Sequence, residues 1–370
     1  MPSPRRVKIL LLIPHLGGGG AERVIATLAR NLDPSRYEVH LALVTQSSRP
    51  SLPPGLLVHP LGARRVRYGA LSLLRLVWLL RPDLILSGIA HLNLLALALR
   101  PFFPSRASLC VRQNGALPAT LAAGGHPLLA RRLYATAYRC ADRIICQTNS
   151  MASELQAELA IDPAKLVVLP NPVDIDAIRA TARKLHTQPP PGPRLLAVAR
   201  LAPEKGIDLL LQAFAAVHRD LPHAHLEILG AGPSRAALEE QRNALALEEC
   251  VQFHGEVAFP AEHFSHVSVF VLSSRHEGLP NALLEAAAAG LPIVALPASA
   301  GLAALLREQP GIWLASEISA PALERALRDA LISVQPRQRF RHTWIDAFAQ
   351  NKAISAYEGM MEAVLLERKS

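Results

Sequence analysis

Cysteine is scarce: four residues in 370, Cys110, Cys140, Cys146 and Cys250. None stands at metal-ligand spacing from another or beside a paired histidine, so the pattern suggests neither a disulfide framework nor a zinc site. Aromatic residues make up only 5% of the chain, and no basic run is interleaved with them. Nucleic acids are held on aromatic platforms beside cations, so nucleic acid is not an expected partner. Long apolar runs are missing as well. The stretch KILLLIPHL near the start is too short for a signal-peptide core and runs into glycines instead of a small-residue cleavage site. Ala286 to Leu306 carries no charge, but Gly290, Pro292, Pro297 and Gly301 interrupt it. No transmembrane helix is expected. Solenoid-period repeats are absent too.

The chain does have a large apolar fraction, 50%, and a length natural for two cores. Short apolar runs alternate with longer helical patterns throughout, the sign of parallel sheets covered on both faces. The predicted strands of the first half are VKILLLI, YEVHLALV, DLILSG, ASLCVR, DRIICQ and LVVLP. Those of the second are RLLAVA, HLEILG, CVQFHG, VFVLSS and PIVAL. Pro189, Pro190, Pro191 and Pro193 can continue neither helix nor ladder, and place a boundary between the halves. The expected organisation is a first α/β domain over residues 1–175, a linker over 176–193, a second α/β domain over 194–343 and a helical tail over 344–370 that packs back on the first domain.

Charge is unevenly distributed. Residues 1–170 carry 20 Lys and Arg against 8 Asp and Glu, whereas residues 171–370 carry 19 against 22. A basic half favours an anionic surface as partner, here membrane lipid over nucleic acid. The segment RRVRYGALSLLRLVWLLRP sets Arg64, Arg65, Arg67, Arg75 and Arg81 beside Trp78 and leucines, a composition suited to lying on anionic lipid. A core-packing helix with a solvated arginine face is the competing reading.

The sharpest chemical signal is SSRHEGLPNALLEAAAAGLPIVA, after the strand VFVLSS. Open α/β sheets bind ligands beyond the carboxyl ends of their strands, where Glu277 falls. Glu285 lies in the second turn of the following helix, where a carboxylate can accept two hydrogen bonds from a ribose diol, each charge-assisted bond contributing roughly 1.5–3 kcal/mol. The helix start offers N–H groups and a positive dipole end to a phosphate. Taken alone, both acids also read as surface charges favouring a helix N-terminus.

With these residues in place, the chain resembles the retaining glycosyltransferases of family 4. Glu277 and Glu285 match that family's EX7E signature in an EGLPxxxxE context; VARLAPEKGIDLLLQAF resembles its strand-loop-helix with a basic pair, here Arg200 and Lys205; LGAGPSRAALEE resembles its glycine turn with Gly230 and Gly232; LPNPVD resembles its interdomain entry. GGGGAERVIATLARNL near the start extends the resemblance over most of the chain. It implies the GT-B architecture: an α/β fold of two Rossmann-like domains whose parallel sheets face each other across a cleft, with the C-terminal helix packing back on the first. It also implies a nucleotide-sugar donor, most often UDP-linked, held in the second domain, and a lipid-linked or polysaccharide acceptor presented by the first.

The implied catalytic set is Arg200, Lys205 and Glu277. Arg200 and Lys205 neutralise the pyrophosphate as the glycosidic bond breaks, so no metal and no further cofactor is expected. Glu277 contacts the transferred sugar. Gly19, Gly20, Gly230, Gly232, Gly278, Leu279 and Glu285 are the expected donor-binding residues, Glu285 through the ribose. Arg112 and Asn114 of VRQNGAL are assigned to acceptor or sugar contact, with a loop-capping asparagine as the equal alternative. His91 reads as a helix-start histidine.

Two features fall outside the pattern. Asp174-Ile175-Asp176 imitates a metal-binding DxD but sits at the linker, where a capping or hinge role is expected. After PIVA the chain reads LPASAGLAALLRE, so Glu308 does not occupy the family's usual acidic position, and the sugar is left open. A dinucleotide oxidoreductase is disfavoured because Thr45-Gln46, not an acid, follows the second strand. An epimerase or phosphorylase of the same architecture, or a non-catalytic scaffold that keeps the site, stays open. The expected location is cytoplasmic, peripheral on the inner face of the plasma membrane.

Overall fold

The computed structural model describes residues 5–16, 19–45, 55–104, 107–115, 117, 121, 127–184, 192–257, 260–335 and 338–368. The first two glycines of the run Gly17–Gly20 and the prolines Pro189, Pro190 and Pro191 lie outside them. The chain divides into two compact units, one of Met1–Pro172 with Asn351–Ser370 and the other of Val173–Gln350.

The first unit holds a parallel sheet of β1 (Val7–Ile13), β2 (Tyr37–Thr45), β3 (Leu57–Ala63), β4 (Leu84–Ser87), β5 (Ser108–Arg112), β6 (Arg143–Cys146) and β7 (Leu166–Val168), in the order β3-β2-β1-β4-β5-β6-β7. Residues Ile9 to Ile13 of β1 are wholly buried because helices cover both faces. Side-chain alternation divides the core in two: Leu10 and Leu12 join Ile85, Leu109 and Tyr138 on one face, while Ile9, Leu11 and Ile13 join Ile25 and Leu28 on the other. The second face is closed by the C-terminal helix Gln350–Glu367, whose Ile354, Tyr357, Met361 and Val364 recur every three or four residues and enter that cluster. The tail therefore packs on the first unit, as expected.

The second unit holds β8 (Arg194–Val198), β9 (His225–Leu229), β10 (Val251–Gly255), β11 (Val269–Leu272), β12 (Ile293–Ala295) and β13 (Ile312–Leu314), also all parallel, in the order β10-β9-β8-β11-β12-β13. Leu195 and Ala197 pack with Leu226 and Phe214 on one face; Leu196 packs with Phe264, Phe270 and Leu283 on the other. Both sheets are those of Rossmann-like domains.

Two strands escape the sequence pattern, and both are at a sheet edge. β3 contains Pro60 and Gly62, which an edge tolerates because it needs no inward N–H at every position. β13 is three residues long, and none of its residues is fully buried. The segment read as a linker from residue 176 begins with a helix, Ile175–Lys184, packed in the second unit: Ile175 and Ile178 sit in its core. Asp174 accepts a hydrogen bond from the Ala177 N–H at 3.0 Å and so caps that helix, the role expected for it. The tail read as starting at residue 344 likewise contributes Ile345 to the second unit, and passes to the first only at Asn351. There Val173 and Ala349 form a parallel bridge, with the Val173 N–H on Phe348 O and the Gln350 N–H on Val173 O, both at 2.9 Å.

Candidate active site in the second unit

In the second sheet the strand order reverses between the neighbours β8 and β11, the switch point of the kind at which open α/β sheets bind ligands beyond the carboxyl ends of their strands. The β8 loop carries Arg200 and Lys205; the β11 loop carries Glu277. The two loops are joined tightly. Gly206 has φ +61°, and a Cβ there would lie 2.0 Å from the Ser273 carbonyl oxygen, so only glycine admits this approach. Ser273 Oγ donates to Lys205 O at 2.9 Å. Arg275 grips the β8 loop with both ends of its guanidinium, Nη1 to Pro203 O and Asp208 Oδ1, each at 2.7 Å, and Nη2 to Asp208 Oδ2 at 2.6 Å. That fork-on-carboxylate hydrogen bond holds the Asp208 pKa below the ordinary aspartate value, against the opposing effect of burial.

The clamp delivers Lys205 Nζ to 2.5 Å from Glu277 Oε1, which also accepts from Ser274 Oγ at 2.9 Å. Both side chains are largely but not fully buried, at 21% and 13% exposure. A cation and a carboxylate are thus held together at the carboxyl edge of the sheet, still within reach of solvent. Arg200 is more open, 64% exposed and paired with Glu204. Its backbone is held from the other side by the turn after β9. A Cβ on Gly230, which has φ +139°, would lie 1.9 Å from Ala199 O; one on Gly232 would lie 2.3 Å from Leu201 O. The two glycines are needed for this close approach.

Gly278 and Leu279 continue the β11 loop to Pro280, which precedes the helix Asn281–Ala288. Glu285 lies on this helix at 8% exposure, among Leu283, Leu284 and Ala286. A carboxylate so placed in an apolar helix is rare unless it serves a specific contact. A cavity of about 470 Å³ opens at the ends of β12 and β13, lined by Pro297, Arg307, Glu308 and Ser316 among others. Glu308, which departs from the expected pattern, has φ +61° there.

In the first unit the reversal falls between β1 and β4. Gly19 precedes the helix Gly20–Asn31, and its carbonyl accepts from the Arg23 N–H at 3.1 Å. Arg112, at the end of β5, is fully buried; its guanidinium donates to Tyr357 Oη at 3.1 Å and to Asn114 and Asn171. These bonds tie the C-terminal helix to the sheet, and Arg112 has no exposed surface to offer a ligand. Asn114 is half-buried and donates to Gly88 O. His91 is an exposed residue in the first turn of the helix Ala90–Leu99.

Of the residues singled out in the sequence, Arg200, Lys205, Gly230, Gly232, Glu277, Gly278 and Leu279 meet at the carboxyl ends of three strands of one sheet. Sequence reasoning missed Arg275, Asp208, Gly206 and Ser274, which position them. Arg275 stands two residues before Glu277, but nothing local announces that its partner lies 67 residues earlier.

Comparisons with known proteins bear on the family and the fold. Residues 192–333 match the family described as Glycosyl transferases group 1, and residues 18–177 that described as Glycosyltransferase Family 4. An uncharacterized glycosyltransferase of Methanocaldococcus jannaschii is 30% identical over 173 residues, 44% of this chain and 42% of that protein. The chain thus spans less than half the length of this relative. The N-acetylgalactosamine-N,N'-diacetylbacillosaminyl-diphospho-undecaprenol 4-alpha-N-acetylgalactosaminyltransferase of Campylobacter jejuni is 28% identical over 309 residues, 78% of this chain and 80% of that one. Among solved structures, Anabaena HepE in complex with UDP and glucose superposes with a TM-score of 0.77 at 17% identity, covering 97% of this chain and 99% of HepE, a likeness of fold. With both halves matched in order and the glycosyltransferase fold throughout, the chain belongs to the group 1, family 4 glycosyltransferases of GT-B architecture.

Proposed function

We propose that the chain transfers a sugar from a nucleoside diphosphate donor to a lipid-linked or polysaccharide acceptor in bacterial cell-surface glycan synthesis, with retention of anomeric configuration. The observation that carries this reading is the Lys205–Glu277 pair held at the switch point of the second sheet. Breaking the donor's glycosidic bond leaves negative charge on the β-phosphate. Lys205 and Arg200 neutralise it from fixed loops, and this makes a metal ion unnecessary for the transfer step. Arg200 suits fork-like contact with phosphate oxygens, and Lys205 acts as a point charge. Glu277, oriented by Lys205 and Ser274, accepts hydrogen bonds from hydroxyls of the transferred sugar. Glu285 holds the ribose, and the turn at Gly230 and Gly232 lets the donor approach the backbone. Gly19 and Gly20 keep their donor-binding assignment, and the first unit, with Asn114, presents the acceptor.

Uridine is the expected base; HepE, similar in fold, has been solved with UDP and glucose. The Campylobacter relative, named for a diphospho-undecaprenol substrate, supports a lipid-linked acceptor. Peripheral membrane binding fits the helix Ala70–Leu80 and its approach. Leu71, Trp78 and Leu79 are exposed there, as are Tyr68 and all of Arg64, Arg65, Arg67, Arg75 and Arg81. Among the described residues no helix is long and apolar enough to cross a membrane.

The test is a thermal-unfolding panel of UDP, GDP, ADP and their sugars, with a chelator present. The expected result is a selective rise with UDP and a UDP-sugar that is lost in Glu285→Ala. A flat response to every nucleotide, at concentrations up to the millimolar range, would reject donor binding by the second unit.

A further inference from the structure

Away from the β8 and β11 loops, one buried carboxylate gathers three imidazoles. Glu227 is the middle residue of β9, with a side chain only 7% exposed. Its strand neighbours Leu226 and Ile228 point into one face of the sheet, so alternation sends Glu227 to the other, where the turn Pro260–Ser265 packs. That turn is a 3₁₀ helix that His266 directly follows, and in such a turn side chains three residues apart lie nearly over one another. His263 and His266 therefore rise over the same side. His263 Nδ1 stands 3.1 Å from Glu227 Oε2, and His266 Nε2 stands 3.1 Å from Oε1. A third ring, His254 of β10, brings its Nε2 to 3.7 Å from Oε2. Arg194 of β8 donates to Oε1 at 3.2 Å.

One guanidinium is enough to neutralise Glu227, so charge compensation does not explain three convergent imidazoles. Their arrangement has a second use. One donor atom from each of Glu227, His263 and His266 can be chosen so that all three lie within 4.8 Å of one another. Two histidines and a carboxylate are an established zinc donor set, and donors around a tetrahedral ion at about 2.0–2.2 Å stand roughly 3.4 Å apart. The His263 Nδ1–Oε2 separation already matches this spacing; His266 stands as close only to Oε1, and rotation of the partly exposed imidazoles brings it to the ion on Oε2.

We propose that Glu227, His263 and His266 bind a divalent transition-metal ion of the zinc class, with His254 or a water molecule as the fourth ligand. Arg194 stays on Oε1 and leaves Oε2 to the ion, at some loss of affinity from its own charge. The ion joins β9, β10 and the Pro260–Ser265 turn three residues before Gly230, so its role is to brace the strand that carries the glycine turn. It takes no part in the transfer chemistry, and the proposal stands whether or not the chain is a transferase.

The experiment uses the untagged full chain, stripped with a chelator and dialysed, then titrated with zinc chloride in thermal unfolding and with Co(II) in visible absorption. One equivalent of zinc should bind and raise Tm by roughly 5 °C at saturation. Co(II) should develop the absorption of a four-coordinate site with a histidine-carboxylate set. Both responses should vanish in His263→Ala/His266→Ala, and His266→Gln alone should weaken binding at least tenfold. Both histidines are partly exposed, so these variants should keep the wild-type circular dichroism spectrum, which is recorded first. No Tm response in the wild type, or an equal response in the wild type and the double variant, would overturn the proposal, the second result assigning the metal to other histidines.

Discussion

Lys205 touches Glu277 at 2.5 Å, and this contact sets the sharpest test of the proposed chemistry. Replacing Lys205 by Ala removes a cation proposed to neutralise the donor's pyrophosphate and leaves Glu277 without its ionic partner. Turnover should fall at least 100-fold, about 3 kcal/mol of transition-state stabilisation, with a smaller change in KM. Near-normal turnover in a steady-state assay would remove Lys205 from the phosphate role. Gly230→Ala tests a different property of single residues. At φ +139° and 1.9 Å from a carbonyl oxygen, the new methyl group forces the β9 turn away from the β8 loop. The expected loss is about 1–3 kcal/mol in urea unfolding, together with weaker nucleotide binding. The residues proposed for the chemistry were singled out because each proposed role needs a particular group. Arg200, Lys205, Glu277 and Glu285 stand out in their motifs for that reason. Arg112 shows the opposite case: a cation at a strand end reads as a ligand contact, but only packing shows it buried under Tyr357, Asn114 and Asn171.

Between elements, the site depends on how two loops are bound to each other. Arg275→Ala breaks the bidentate bond to Asp208; with both side chains about one-third exposed, solvent screening limits the loss to about 1 kcal/mol. Donor affinity should fall several-fold because Lys205 and Glu277 lose their fixed separation, and isothermal titration would measure it. The pH dependence follows from the depressed Asp208 pKa. A depressed carboxylate contributes stability that is complete above its unfolded value, about 3.9, and is lost as pH falls through the lower folded value. The stability difference between wild type and Arg275→Ala should therefore stay constant from pH 8 to 5 and shrink below pH 4; a difference that persists at pH 2 would show that the bond is not its source. The C-terminal helix gives a larger effect. Tyr357 is wholly buried and bonded to Arg112, so Tyr357→Ala should cost about 3–5 kcal/mol, read as a lower midpoint in denaturant. Central strands were legible in the sequence because burial on both faces enforces a continuous apolar run; the edge strands β3 and β13 are relieved of that demand and left no such mark.

For the whole molecule, the basic first half and the exposed Trp78, Leu71 and Leu79 predict sedimentation with vesicles containing anionic lipid, diminishing as salt screens the arginines. Equal recovery in the supernatant with and without vesicles would leave that face as an ordinary solvated surface. Composition made the charge asymmetry plain, and pattern made plain the two α/β units and the tail helix, since hydrophobic periodicity and motif chemistry are local properties of the chain. What the sequence left undecided was pairing at long range. The Arg275–Asp208 clamp, the Arg112–Tyr357 tie and the gathering of His254, His263 and His266 around Glu227 each join residues far apart in the chain. Such contacts arise only when strand order brings distant loops to one sheet edge, and neither periodicity nor spacing along the chain encodes that order.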